Sequence, residues 1–460
     1  MALTEPSKDL LPLRETFHSG ITRPYAWRRQ KLLDLKKAIL EEEDAIGQAL
    51  YTDLKKSPEE VYGTETGLLL AEINNTLRNL RQWMRPRSVR TNLVNLPSSS
   101  RIYRDPLGVV FIVAPWNYPF QLSLVPLAAA IAGGNCVVLK PSELAPATAA
   151  ILEKILSRIY SPDFVRIVQG DGALVVPALM RAFRFDHVFF TGSIPVGRAI
   201  YQLAAESLVP VTLELGGKSP VVVESDAHIK TAARRIALAK FTNAGQTCIA
   251  PDYLLLHITI KDRLLAALQE AIGEFYGAAP EKSYDYGKII HEKRFDTLVG
   301  YLSQGKIISG GRHDRSALFL SPTILEEVDA DAPLMKEEIF GPLLPVFTYH
   351  TMEEALALIG RNPDPLAFYL FTADVQKEKA WIEKLSFGGG CINNAEWHFA
   401  NYHLPFGGVG HSGMGAYHGK YSFETFTHAK AVLKTPNWWD PALKYPPFKG
   451  KLKWFKRLIR

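Results

Sequence analysis

Cysteine is scarce. The 460-residue chain holds three, Cys136, Cys248 and Cys391, an odd number set far apart. That excludes a disulfide framework and fits a reducing compartment. There is no Cys-x-x-Cys pair and no His-Glu-x-x-His segment, so no metal site is expected. Unbroken apolar runs are short. The most apolar stretch, Leu122 to Leu139, is interrupted by Ser123, Pro126, Gly133, Gly134 and Asn135, whereas a membrane span needs about 20 consecutive apolar residues. The opening residues MALTEPSKDLL lack the basic-then-apolar pattern of a secretion signal. A soluble, cytoplasmic protein is expected. No internal repeat or low-complexity segment is visible. Acids are missing from Pro441 to Arg460, where seven basic residues sit: Lys444, Lys449, Lys451, Lys453, Lys456, Arg457 and Arg460. These seven exceed the whole net charge of +6. The rest of the chain is therefore near neutral, and the basic excess is no nucleic-acid footprint.

Hydrophobic residues make up 47% and charged residues 22%. That is the balance of an ordinary globular protein, and the length suits two or three domains with a sizeable core. Residues 22–85 read as helices, with Leu32, Leu35, Ile39, Ile46 and Leu50 at helical spacing. The stretch Pro86–Asp105, rich in Pro and Ser, reads as a protruding hairpin or a linker. From Gly108 onward, apolar runs alternate with helical stretches. GVVFIVAP, CVVLKPS, VRIVQG, HVFFTG and VTLELGG form one set; DYLLLHITI, LPVFTYH, AFYLFTA and GGGCINN form another. Continuous apolar runs between helices predict parallel, doubly wound α/β sheets.

Several residues stand where chemistry is possible. Cys248, in NAGQTCIAP, has small neighbours that allow close approach to a nucleophilic thiolate; a buried, inert cysteine is the alternative. Glu214, in VTLELGGKSP, ends an apolar strand, where open α/β sheets bind ligands. An apolar setting would raise its pKa toward that of a general base, and a salt-bridged strand-end Glu is equally compatible. Asn117, in APWNYPF, can donate to a developing oxyanion or serve as a turn residue. Lys140 and Glu143, in VVLKPSELAP, can hold ribose hydroxyls, or be a surface Lys with a first-turn Glu. Gly192, Ser193 and Gly197, in FFTGSIPVG, can present backbone N–H groups to a phosphate, or form a structural turn. Glu338 and Phe340, in KEEIFGPLLP, can grip a ribose and a flat ring, or end a helix before Gly341–Pro342.

Taken in order, PWNYP, KPSE, FTGS, ELGGKSP, GQTC, EEIFGP and PFGGVG followed by SGMG strongly resemble the aldehyde dehydrogenase superfamily, from about residue 105 to 430. DYGKII and LPFGGVGHSGMGAYHGKYSFETF look like its class 3 branch, which oxidises medium- and long-chain or aromatic aldehydes with NAD or NADP. The resemblance implies a Rossmann-like cofactor-binding domain (1–85 and 106–213), an α/β catalytic domain (214–416) and a small β oligomerisation arm (86–105 and 417–435), followed by a basic tail (436–460). It implies Cys248 as nucleophile, Glu214 as general base and Asn117 as oxyanion donor. Lys140 and Glu143 would contact the adenosine ribose, Gly192, Ser193 and Gly197 the pyrophosphate, and Glu338 and Phe340 the nicotinamide side, with Trp116 among the cofactor-binding residues. Glu143 should repel a 2′-phosphate, yet the branch tolerates NADP with such a residue. One departure is Ile194–Pro195 in the phosphate turn, where Pro195 removes an N–H. A homodimer and an apolar, medium- or long-chain small-molecule aldehyde substrate are implied, with no nucleic-acid partner. A cofactor-independent thiol esterase and a CoA-acylating relative are the competing activities.

The tail KGKLKWFKRLIR places Leu452, Phe455 and Ile459 at i, i+3 and i+7 among Lys451, Lys453, Lys456, Arg457 and Arg460. It is too short to span a bilayer and suits peripheral contact with an anionic membrane. A solvated tail, or a helix packed on the enzyme's own body, fits equally.

Overall fold

Short runs of branched and aromatic residues, buried on both faces, build two sheets. A computed structural model of the chain describes residues 10–459. Expectations for residues 1–9 and for Arg460 lie outside the described residues. The first sheet has the order Gly413–Met414, Val211–Glu214, His187–Thr191, Val109–Val113, Cys136–Lys140, Val165–Ile167. All its pairings are parallel except that of Gly413–Met414. Every residue of Val109–Val113, Cys136–Lys140 and His187–Thr191 is buried, as a parallel sheet covered on both faces requires. Chain order runs outward from Val109–Val113 in one direction and then returns to its other side at His187–Thr191. That reversal is a topological switch point, and the loops beyond it open a crevice.

The second sheet has the order Lys306–Ser309, Thr323–Glu326, Leu343–Tyr349, Tyr253–His257, Pro220–Val223, Ala367–Phe371, Gly389–Ile392, parallel except at its first edge. Mixed α/β architecture with parallel sheets is thus present as expected. The helices Tyr25–Glu41, Glu43–Leu54 and Gly67–Trp83 fall within the stretch read as helical.

Arg87–Val89, Ser99–Pro106 and Thr427–Lys434 form a separate three-stranded antiparallel sheet. Pro86–Asp105 is therefore the hairpin of the two readings, completed by a strand more than 300 residues later. Two neighbouring segments return to the first sheet instead. Gly413–Met414 pairs with Val211–Glu214, and the helix Gly419–Thr425 packs on the helices Gln121–Gly133 and Gly67–Trp83. From Ala429 to Ile459 no residue is buried. The tail ends in a short helix, Leu452–Leu458. Among the described residues no helix is long and apolar enough to cross a membrane.

Candidate active site

The loops at the switch point enclose a cavity of about 620 Å³. Pro115, Trp116 and Asn117 follow the strand Val109–Val113, and Gly192 and Ser193 follow His187–Thr191; all five line it. So do Gly216, Gly217, Arg294, Glu338 and Phe340 from the second half of the chain. A second cavity of about 450 Å³ is walled by Leu122, Ile249, Phe275, Tyr276, Trp397, Phe399, Phe406 and Tyr417. Thr191, Glu214 and Cys248 line both. The expected nucleophile and the expected base therefore stand together where the two cavities meet.

Cys248 lies in a turn, not at a helix start. The backbone before it is coiled tightly: Asn243, Ala244 and Gly245 all have positive φ, at 52°, 52° and 74°. A Cβ on Gly245 would come within 2.3 Å of the Gly341 carbonyl oxygen. Only glycine lets this turn lie against the EEIFGP loop. Burial, then the carboxylates of Glu338, Glu214 and Glu396, push the Cys248 thiol well above its ordinary range.

Glu214 is the other titratable group lining both cavities. It is buried, and neither carboxylate oxygen has a hydrogen-bond partner among the described residues. Burial raises its pKa well above the ordinary carboxylate range. An unpaired buried carboxylate is costly and survives chiefly as the neutral acid. Such a group is available to exchange a proton with a neighbour rather than to hold structure, which separates it from the salt-bridged alternative.

Glu338 and Phe340 ride on a loop pinned from three sides. Lys218 pairs with Asp252 and donates to the carbonyl oxygens of Leu334 (3.0 Å) and Glu337 (2.9 Å). Asp252 accepts from Ile339 N (2.9 Å), and Arg294 donates to the carbonyl oxygens of Glu338 (2.9 Å) and Ile339. Phe340 takes φ 46° and meets Trp116 edge to face, with centroids 5.1 Å apart. Burial and nearby Asp252 push the Glu338 carboxyl up to about 8. A Cβ on Gly216 would strike Glu338 Oε2 at 1.8 Å, so the cleft is kept open by glycine.

Three expected residues do not line this cleft. Lys140 and Glu143 pair with each other, and Glu143 also accepts from Gly172 N (3.0 Å) at the start of the helix Gly172–Ala182. They stand at the end of the neighbouring strand Cys136–Lys140, farther along the same sheet edge. Gly197 is buried, and a Cβ there would meet Leu215 Cδ2 at 2.5 Å. It permits helix–strand packing and does not face the cavity. Pro195 costs the helix that follows no hydrogen bond. It lies in the first turn of the helix Ile194–Glu206, where an N–H has no helical partner anyway.

The family model for the aldehyde dehydrogenase family matches residues 14–432. This chain belongs to the aldehyde dehydrogenase family. Among curated relatives of these aldehyde dehydrogenases, the 4,4'-diaponeurosporen-aldehyde dehydrogenase of Staphylococcus aureus is 45% identical over 446 residues, covering 96% of this chain and 97% of the relative. Aldehyde dehydrogenase family 3 member B1 of Homo sapiens is 44% identical over 437 residues, covering 95% and 93%. Among solved aldehyde dehydrogenases, the substrate-bound state of Staphylococcus aureus AldH superposes with a TM-score of 0.96 at 44% identity, covering 98% of this chain and 99% of that one. An indole-3-acetaldehyde dehydrogenase, AldA of P. syringae, solved in complex with NAD+ and IAA, gives 0.86 at 26% identity, covering 94% and 89%. The class 3 likeness read from the motifs agrees with these relatives, and the chain is an aldehyde-oxidising enzyme.

Sequence reasoning passed over Lys218, Asp252, Arg294 and Thr191. Lys218 stands inside the quoted ELGGKSP motif, but nothing local says that its partner is Asp252.

Proposed function

We propose that this enzyme oxidises neutral, apolar aldehydes to carboxylic acids with NAD or NADP, through a covalent intermediate on Cys248. The observation that carries this reading is the placement of Cys248 and Glu214 at the junction of the two cavities. Trp116, Ser193, Glu338 and Phe340 fit the nicotinamide, ribose and pyrophosphate groups of such a cofactor, since the cleft they line is kept open by Gly216 against Glu338. Lys140 and Glu143, beyond that cleft on the same sheet edge, suit the adenosine end. A nicotinamide held there supplies the hydride acceptor.

The chain's own residues do the rest. The Cys248 thiol gives up its proton to solvent, and Sγ adds to the aldehyde carbon to give a thiohemiacetal. The Asn117 amide and the Cys248 backbone N–H donate to its oxygen. Loss of hydride leaves a thioester. Glu214 then takes a proton from water, whose oxygen attacks the thioester carbon, and the acid leaves as Cys248 regains its proton.

The substrate cavity carries Glu59, Glu60, Glu214, Asp285 and Glu396 but no Lys or Arg. Burial pushes Glu60 up to about 7 and Glu396 up to about 8. An anionic substrate tail would find only His418, which already faces Glu72 at 3.2 Å, while alkyl or aryl groups meet aromatic walls. With straight-chain aldehydes, kcat/KM should rise about fourfold per added methylene until the cavity fills, following ~0.8 kcal/mol per buried CH₂. Absorbance of reduced cofactor across a panel from propanal to decanal, with succinic semialdehyde as the anionic control, checks this. Equal rates for hexanal and succinic semialdehyde would contradict it.

Exposed surfaces support a reading of assembly and location. The strand Thr427–Lys434 is exposed beyond its first residue, and a thin ribbon of this kind gains from docking on a partner. A homodimer is expected, and a monomeric mass by light scattering at micromolar protein would contradict it. The tail helix leaves Leu452, Trp454 and Ile459 at 62%, 55% and 70% exposure beside five basic residues. The apolar face is thus not packed on the enzyme's body. This supports peripheral contact of an otherwise cytoplasmic enzyme with anionic membrane. Intact protein should sediment with anionic vesicles at low salt, and a chain ending at Tyr445 should not; two supernatants would sink the idea.

A further inference from the structure

The segment before the cofactor sheet reaches into the active site with side chains that no reaction step uses. The helix Pro58–Val61, capped by Ser57, runs into a π turn at Tyr62–Thr66. Such insertions are frequent at functional sites. Lys56 precedes this stretch and Glu65 lies inside its π turn, and both side chains are completely shielded from solvent. No other ion pair among the described residues is buried so fully on both sides. Lys56 Nζ donates to Glu65 Oε1 at 2.6 Å and to the Asn117 carbonyl oxygen at 3.1 Å. It also stands 3.9 Å from the Tyr118 ring centroid. Glu65 Oε2 accepts from Phe120 N and Gln121 N, each at 3.0 Å.

A second donor reaches the same carbonyl from the nucleophile side. Asn243 Nδ2 donates to the Asn117 carbonyl oxygen at 2.9 Å. Asn243 sits in the positive-φ turn that leads to Cys248, and its own N–H is held by Glu60 Oε1 at 3.1 Å. The Tyr118 hydroxyl lies 2.7 Å from Thr247 Oγ1, one residue before Cys248. One carbonyl oxygen therefore joins three segments: the N-terminal helices, the PWNYP loop and the nucleophile turn.

We propose that Lys56, held by Glu65, and Asn243 are positioning residues that act through the Asn117 carbonyl, setting the plane of that residue and hence the direction of its side-chain amide toward the substrate oxygen. This rests on the reading of Asn117 as the oxyanion donor. A fully buried ion pair adds little net stability, because desolvation offsets the attraction. What it supplies is direction: Lys56 aims its donors at one carboxylate and one carbonyl, and Glu65 fixes the next two backbone N–H groups. A displacement of the amide by about 1 Å can cost up to ~10²-fold in rate.

Two variants test this, each in the wild-type and in the Asn117→Ala background. Lys56→Met/Glu65→Gln removes the charges together and keeps an oxygen for Phe120 N and Gln121 N. Asn243→Gly removes the second donor while the left-handed backbone stays accessible, so it is the safer folder. Reading kcat, aldehyde KM and cofactor affinity by titration, each variant should lower kcat by about 10- to 10²-fold in the wild-type background with cofactor affinity unchanged. In the Asn117→Ala background each should change kcat by less than about twofold, the signature of residues acting through one group. Equal fold-losses in both backgrounds, or no loss in the wild type for Asn243→Gly, would overturn the positioning role. If Lys56→Met/Glu65→Gln does not fold, Asn243→Gly decides alone. An Asn117→Ala enzyme with wild-type kcat would instead remove the oxyanion reading beneath it.

Discussion

Glu214→Gln is expected to reduce one equivalent of cofactor per active site in a burst and then nearly stop. Hydride loss from the Cys248 adduct needs no base at that moment, whereas hydrolysis of the thioester needs a proton taken from water. Losing a general base typically costs ~10²–10⁴ in rate, so steady-state turnover should fall by about that factor while the burst survives. Cys248→Ala should show neither burst nor turnover. The pH dependence has a definite sign. Burial raises the Glu214 pKa, so the neutral acid dominates below that raised value and the base grows in as pH rises through it. Wild-type steady-state rate should therefore climb as pH rises through that raised value, and Glu214→Gln should lose that limb. Stopped-flow absorbance of reduced cofactor across pH separates burst from steady state. A Glu214→Gln enzyme that turns over at the wild-type rate would remove Glu214 from the mechanism.

Asn117→Ala should lower kcat by ~10²–10³, the usual cost of one oxyanion donor, with cofactor affinity near wild type. The side chain lines the cleft beside Cys248, while the structural work of this residue is done by its backbone carbonyl, which alanine keeps. Cofactor affinity by fluorescence titration and kcat from initial rates check both halves. Matching losses in affinity and kcat would mean that the PWNYP loop had collapsed.

Much of this was legible because parallel strands announce themselves. The runs ending at Val113, Lys140, Thr191 and Glu214 are apolar on both faces, and each is followed within a few residues by a chemically active side chain. Strand order in the sheet was not legible, since the switch point between Val109–Val113 and His187–Thr191 depends on pairing across 77 residues, as of Val110 with His187. Pro220–Val223, central in the second sheet, escaped notice: four residues beginning with proline directly after ELGGKS look like a loop. The helix Gln121–Gly133 also carries no periodic signal, because every one of its residues is buried and a helix apolar all round has no polar face to mark its period. Cys248, Glu214 and Asn117 came together as their motifs implied. Gly197 did not face the cleft, because a glycine that lets a backbone approach a ligand and one that lets a helix approach a strand read alike in sequence. The Lys56–Asn117 contact could not be read at all, since 61 residues separate donor from acceptor.

The central claim is that the acyl group passes through Cys248 with Glu214 as the base that releases it. Intact-mass spectrometry of Glu214→Gln, quenched in acid after incubation with decanal and NAD, tests this most directly. The account predicts one added acyl group per chain, mapped by peptide analysis to the Cys248 segment and absent when NAD is omitted. An unmodified protein that has nonetheless reduced a full equivalent of cofactor, or an acyl group mapped to Cys136 or Cys391, would contradict it.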